Sequence, residues 1–191
     1  DGGVAVLAQS ASGTLTFASD SVTTTGADTR AVAAHAFNGV ANVTVGDVTA
    51  LGTNASGVLT SGREVNLVIE GAVESTQIGV SVSAPSGLAD VLVNGSVVST
   101  DGPALVSGAQ DGVVTVSEGA FVSGGTAGVV LLSGLQGGFT QFYNSGTVTG
   151  SAGPAVVGLP NVNGSVASFY IQNNGSLVAG DSGVAVATGA G

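Results

Sequence analysis

A corner of the form Gly-small-apolar recurs along the whole chain, and it constrains the fold more than any other feature. It reads Gly46-Asp47-Val48, Gly71-Ala72-Val73, Gly95-Ser96-Val97, Gly119-Ala120-Phe121, Gly146-Thr147-Val148 and Gly175-Ser176-Leu177, with Asp20-Ser21-Val22 in the same slot. Successive corners are 26, 25, 24, 24, 27 and 29 residues apart. Val22, Val48, Val73, Val97, Phe121, Val148 and Leu177 are expected to fill one inward slot. A short apolar strand precedes each corner (residues 15–17, 43–45, 67–69, 91–93, 114–116, 139–143 and 169–171). Another follows it, from Ala31-Val32 through Val58-Leu59 to Val184-Ala185-Val186. The clearest single unit is the stretch 136–160.

Three short strands per unit, with no apolar spacing of 3.6 sustained over a helix length, point to an all-β chain. The segment 29–37, TRAVAAHAF, has local helical propensity but occupies a strand slot, so it is read as strand plus loop. The period is too short for propeller blades and lacks the Leu/Asn pattern of leucine-rich repeats. One such unit cannot bury its apolar face alone, whereas units stacked about 4.8 Å apart turn every apolar slot into an inward column. The expected fold is a right-handed single-stranded parallel β-helix of about seven coils, spanning residues 1–191 as one domain, a rod about 34 Å long on that spacing. Gly, 33 of 191 residues, supplies the corners. The start, Asp1-Gly-Gly-Val-Ala-Val, and the stretch Asp181-Ser-Gly-Val-Ala-Val share one phase of the repeat. The chain is therefore expected to be a segment of a longer extracellular β-helix, or to stack end to end on other copies.

Charge excludes several partner classes. Twelve acids face two cations, Arg30 and Arg63, for a net charge of −10. A nucleic-acid partner needs a basic footprint, which is missing, and an anionic membrane surface repels such a chain. No apolar run reaches the roughly 18 residues of a membrane helix, so no direct insertion of this segment is expected. The absence of Cys removes thiolate catalysis, thiolate metal sites and disulfides.

The phrases NSGTVTGSAGPAVV (144–157), NNGSLVAGDSGVAV (173–186) and VNGSVVSTDGPALV (93–106) have the form Asn-x-Gly-Thr/Ser-apolar, a small polar spacer, then Gly-x-Ala-apolar. This pattern resembles the repeats of bacterial autotransporter passenger domains and related secreted β-helix adhesins, in degenerate form over essentially the whole chain. The resemblance implies a Gram-negative, extracellular or surface-displayed β-helix.

Little in the chain carries chemistry. His35 is the single histidine, and a nucleophilic triad would need it beside a Ser and an acid. Arg30 and Arg63 are expected to pair with the neighbouring Asp28 and Glu64. One corner column is expected to read Asp28, Asn54, Gln77, Asp101, Thr126, Ser151, Asp181, with Asp1 stacking near Asp28. Its other acids would lie about 14 Å apart on the ladder spacing, too far for the carboxylate pair of a glycosidase. Asn42, Asn54, Asn94, Asn163 and Asn174 match glycosylation acceptors, a pattern that arises by chance in a Ser/Thr/Gly-rich chain. Phe139, Phe142, Tyr143, Phe169 and Tyr170 gather late, as core stacking or as an exposed contact patch.

No catalytic, cofactor-binding or metal-ligating residue is assigned, and no cofactor is expected. The expected function is a non-enzymatic, structural and adhesive β-helix that contacts itself or a host or neighbouring-cell protein or glycan. The alternatives are an end-to-end filament subunit and, below it, a polysaccharide-degrading enzyme.

Overall fold

A computed structural model describes residues 2–133, 138–160, 168–181 and 183–188. Asp1, Asn163 and the beginning of the stretch 136–160 lie outside the described residues. The described residues form β1 (Val4–Ser10), β2 (Thr14–Thr24), β3 (Arg30–Ala50), β4 (Ser56–Ile69), β5 (Ala72–Ser75), β6 (Ile78–Val93), β7 (Ser96–Ser99) and β8 (Leu105–Val116). There follow β9 (Phe121–Gly124), β10 (Val129–Ser133), β11 (Phe139–Asn144), β12 (Thr147–Gly150), β13 (Val156–Leu159), β14 (Ser168–Asn173), β15 (Ser176–Ala179) and β16 (Val186–Thr188). Among the described residues there is no helix, and so none long and apolar enough to cross a membrane. Residues 30–37, where helix and strand propensity compete, are strand.

Every strand pairs in parallel with its counterpart one coil away, giving an all-β solenoid of about seven turns. The three strands expected per coil are the three faces of each turn. Long strands such as β3 and β6 simply bend around a corner from one face to the next. On the first face Val32, Val58, Val80, Leu105, Val129 and Val156 stack in one column. On the second, Phe17, Val43, Leu67, Val91, Val114, Phe142 and Ile171 do the same. Period-two alternation makes these side chains point inward together, and β-branched Val fits such pleated columns. Central members of all three columns are essentially fully buried, whereas Val6, Leu15 and Phe17 at one end and Phe169, Ile171 and Leu177 at the other are only partly covered.

The third column departs from the sequence expectation at one rung. It runs Val22, Val48, Val73, Val97, Val122, Val148, Leu177. Val122 holds the slot expected for Phe121, which instead pairs with Ser96 and Thr147 on the outside and is 40% exposed. The cause is a tight turn, closed by the Ala120 N–H donating to the Ser117 carbonyl at 3.1 Å, in which Gly119 takes φ +80°. The corner holds four residues, Ser117 to Ala120, where the coils on either side hold two; one of the extra two follows the glycine, so counting from Gly119 slips by one residue, and such a slip exchanges the two faces of a strand.

Polar residues enter the core at a few rungs. Asn144 continues the column Val45, Ile69, Val93, Val116. Its Nδ2 donates to Asn173 Oδ1 at 2.7 Å and its Oδ1 accepts the Gly146 N–H at 3.2 Å, so the buried amide is satisfied. The hydroxyls of Thr60 and Ser107, two rungs apart in the column Ala34, Thr60, Val82, Ser107, Leu131, are buried without a partner.

Candidate functional site

Three candidate regions follow from the sequence: the carboxylates, the late aromatics, and the surroundings of His35 and the two arginines. Four carboxylates, Asp28, Asp47, Glu70 and Asp111, fasten one coil to the next. Asp28 accepts a hydrogen bond from Asn54 Nδ2 at 3.0 Å, one coil up. Glu70 accepts from Asn94 Nδ2, whose Oδ1 in turn accepts from the Ser117 hydroxyl. Asp47 caps the Ala72 N–H at 2.9 Å and Asp111 the Phe139 N–H at 3.1 Å. The expected corner column holds at its Asp28–Asn54 and Gln77–Asp101 steps: the Asp28 N–H bonds to the Thr53 carbonyl and the Asp101 N–H to the Thr76 carbonyl, each one residue before its partner, as in parallel pairing. It slips at the Asn54–Gln77 step, where the Gln77 N–H bonds to the Ala55 carbonyl, and again at Thr126–Ser151, where the Ser151 N–H bonds to the Gly124 carbonyl and Ser151 lies opposite Gly125. The coil between Asn54 and Gln77 is shorter, with Ser56 opposite Ile78, and the counting drifts there. Among the described residues no three His, Cys, Asp or Glu side chains come together as a metal site would require.

The late aromatics divide by strand alternation. Phe142 is fully buried, and Phe169 packs against the core. Phe139 and Tyr170 are 43% and 45% exposed, and Tyr143 leans on Tyr170 with ring centroids 5.8 Å apart. Each Tyr hydroxyl donates to a Gln two residues away in its own strand, Tyr143 to Gln141 and Tyr170 to Gln172. The two tyrosines thus lean on each other with their hydroxyls satisfied, while Phe139 and Tyr170 keep exposed faces.

The third region is a cleft, and it arises from unequal corners. Between the first and second faces, three residues (Phe37, Asn38, Gly39) separate Ala36 from Val40, but only Arg63 separates the opposing Gly62 from Glu64. One coil further, five residues lie between Ser83 and Ala89 against three between Ser61 and Val65. The short Arg63 corner is thus recessed between two projecting corners. The result is a cleft of about 440 Å³ lined by Phe37, Asn38, Ser61, Gly62, Arg63, Ser83, Pro85 and Ser86.

Its electrostatics follow from the partners each group has. The expected Arg–acid pairs are absent among the described residues. Asp28 is taken by Asn54, and the Glu64 carboxylate accepts from Asn66 Nδ2 at 3.3 Å. Arg63 is thereby left exposed at the cleft without a carboxylate. His35 Nδ1 lies 2.8 Å from Ser61 Oγ, one coil away. Partial burial and, secondarily, the Arg30 charge push the His35 pKa below its ordinary value, so the imidazole is neutral near pH 7. Its ring stacks on Phe37, two residues on and on the same side of the strand, with centroids 6.1 Å apart at 28°. That contact fixes an aromatic ring that is itself 61% exposed.

The structure therefore supplies the Ser that a His-based nucleophile needs, Ser61, but places no acid on the histidine among the described residues. Sequence reasoning weighed His35, Arg63 and the aromatics separately and missed Phe37, Ser61, Ser83, Pro85 and Ser86 as one site. The available signal was the length of one corner, Ala-Phe-Asn-Gly-Val against Gly-Arg-Glu and Ala-Pro-Ser-Gly-Leu. No protein-family model matches the chain, and neither a curated protein nor a solved structure matches it.

Proposed function

We propose that the chain is a non-enzymatic, extracellular structural and adhesive rod of the bacterial autotransporter-passenger type, displayed on a Gram-negative cell surface. The observation that carries this reading is the division of labour in each coil. Inward columns and inter-coil hydrogen bonds hold the stack, while corners of unequal length project from its side. Such a scaffold leaves its outer positions and corner lengths free for contacts, as loops on a rigid frame do in other binding proteins. The resemblance of the phrases at 144–157 and 173–186 to passenger repeats supports the surface location. The test is adhesion of protein-coated beads to bacterial and epithelial cells, against beads coated with an acidic protein of equal net charge. Coated beads are expected to bind cells or one another at physiological salt; beads no stickier than the control would remove the reading.

A second reading is favoured by the half-covered core columns at both ends of the described stack. Apolar side chains such as Phe17 and Ile171 and the unpaired edges of their strands gain if another coil covers them. A further coil, from a continuation of the same chain or from a second copy, would supply that cover, and a second copy would build a filament. Sedimentation velocity over a concentration series tests this, and a single species of monomer mass at high concentration would sink it.

A further inference from the structure

We infer that the cleft at the Arg63 corner binds an acidic saccharide, a sugar ring bearing a carboxylate. This deepens the adhesive reading by naming the ligand class for one contact, and it rests on that reading for its biological role. Three independent features point to the same ligand. The first is Arg63, an unneutralised guanidinium on a chain with twelve acids and two cations. Its planar fork matches a carboxylate with two parallel N–H donors. The adjacent Glu64 makes no ion pair with Arg63 among the described residues; its carboxylate accepts instead from Asn66 at 3.3 Å. Repulsion from the rest of the acidic surface is screened beyond about 8 Å at physiological salt.

The second feature is Phe37, whose exposed ring is fixed by the neutral His35 ring behind it. An aromatic face carries negative potential and takes up the polarised C–H face of a sugar. The third is the polar lining: Asn38 on one wall, Ser83 and Ser86 on the other, and Ser61 on the floor, oriented by His35. Hydroxyls and an amide offer both donors and acceptors, as the vicinal hydroxyls of a sugar require.

Shape agrees with this chemistry. The walls belong to coils two rungs apart, about 9.6 Å between backbones on ladder spacing, which leaves a slot of single-ring width between side chains. The volume of about 440 Å³ is that of a small-ligand site. An acidic peptide fits less well. The strands beside the cleft are already paired on both sides, so no edge is free to add a peptide strand.

Saturation-transfer NMR on the whole chain tests the inference with D-glucuronate, D-glucose and N-acetyl-L-glutamate as probes. Glucuronate is expected to receive saturation on its ring protons, more strongly than either of the others, and to lose it as salt is raised. Arg63→Ala is expected to weaken glucuronate at least about tenfold, and Arg63→Lys to restore part of that loss. Phe37→Ala is expected to weaken it as well, while Arg30→Ala, which removes a cation outside the cleft lining, leaves it within about twofold. Absence of transfer to glucuronate, or an unchanged response in Arg63→Ala, overturns the site. Equal binding of glucose removes the acid requirement, and equal binding of N-acetyl-L-glutamate makes it a peptide-acid site. The two readings fail separately: beads that adhere without glucuronate binding overturn only the ligand, and glucuronate binding without adhesion overturns only the adhesive role.

Discussion

Gly95 and Gly119 hold the same corner in successive coils, and replacing each by alanine should have different consequences. A Cβ on Gly95 would lie 1.9 Å from the Gly71 carbonyl oxygen and 2.9 Å from that of Glu70, closer than real Cβ contacts come. The corner would have to lift from the coil beneath by about 1 Å, since the contacted atoms are backbone and cannot rotate away. That displacement strains the Ser96 N–H bond to Gly71 O, now 3.0 Å, and the Gly95 N–H bond to Ile69 O, now 3.1 Å. Overpacking of about 1–3 kcal/mol plus one or two weakened bonds of about 0.5–1.5 kcal/mol each gives a loss of about 2–5 kcal/mol for Gly95→Ala. Gly119 sits at φ +80° with open space where its Cβ would be. Alanine there costs only the left-handed conformation, about 1–2 kcal/mol, and asparagine, which tolerates that region, should recover most of it. Asparagine at Gly95 should be no better than alanine. Urea unfolding followed by far-ultraviolet circular dichroism measures all four variants, with the slope of the transition checked for partial unzipping of the stack. Gly95→Ala within about 0.5 kcal/mol of the parent, or asparagine rescue at Gly95 rather than Gly119, would refute the close-approach argument.

Further tests address the core, the register and the histidine. Phe142→Ala empties a fully buried site between Val114 and Ile171 and should cost about 3–5 kcal/mol in the same urea assay. Val122→Asp should abolish cooperative folding, whereas Phe121→Asp, on the outer face beside Ser96 and Thr147, should leave the transition in place; the reverse order would restore the simpler register. Thr60→Val removes a buried hydroxyl without a partner and should raise stability by about 1 kcal/mol, read as a higher urea midpoint. The folded chain holds His35 below its ordinary value of 6.5, so the unfolded chain takes up more protons between the two values. Stability from this group is therefore present above pH 6.5 and falls as pH drops through 6.5 towards the folded value. His35→Gln should remove that part of the slope between pH 8 and 5, and identical slopes in both proteins would disprove it.

The repeat of apolar slots was enough to require stacked parallel coils, because alternation on a strand fixes which side chains face inward and one coil cannot bury them alone. Val48, Val73, Val97 and Val148 sit where their spacing places them. The same spacing misplaced Phe121, because the turn at Gly119 lengthens the corner by two residues, one of them after the glycine, and so shifts the strand relative to the glycine without changing the apolar pattern around it. It also paired Arg30 and Arg63 with acids nearby in sequence. In the solenoid a residue's closest polar neighbour is usually one coil away, so Asp28 finds Asn54 and Glu70 finds Asn94.

The late aromatics were legible as core stacking or as an exposed contact patch, and strand alternation divides them between the two: Phe142 is buried, Tyr143 leans on Tyr170, and Phe139 and Tyr170 stay exposed. The cleft went unseen because it belongs to no residue type. It is a difference in length between three corners, and total coil length, the quantity a repeat reports, averages that difference with the other corners of each turn. The sequence by itself determined the solenoid, its number of turns and most of its inward columns, all consequences of local periodicity. Only the tertiary structure decided the register at each corner, the partners of the charged groups and the recess at Arg63. Each of these depends on which residues of separate coils come to lie one rung apart.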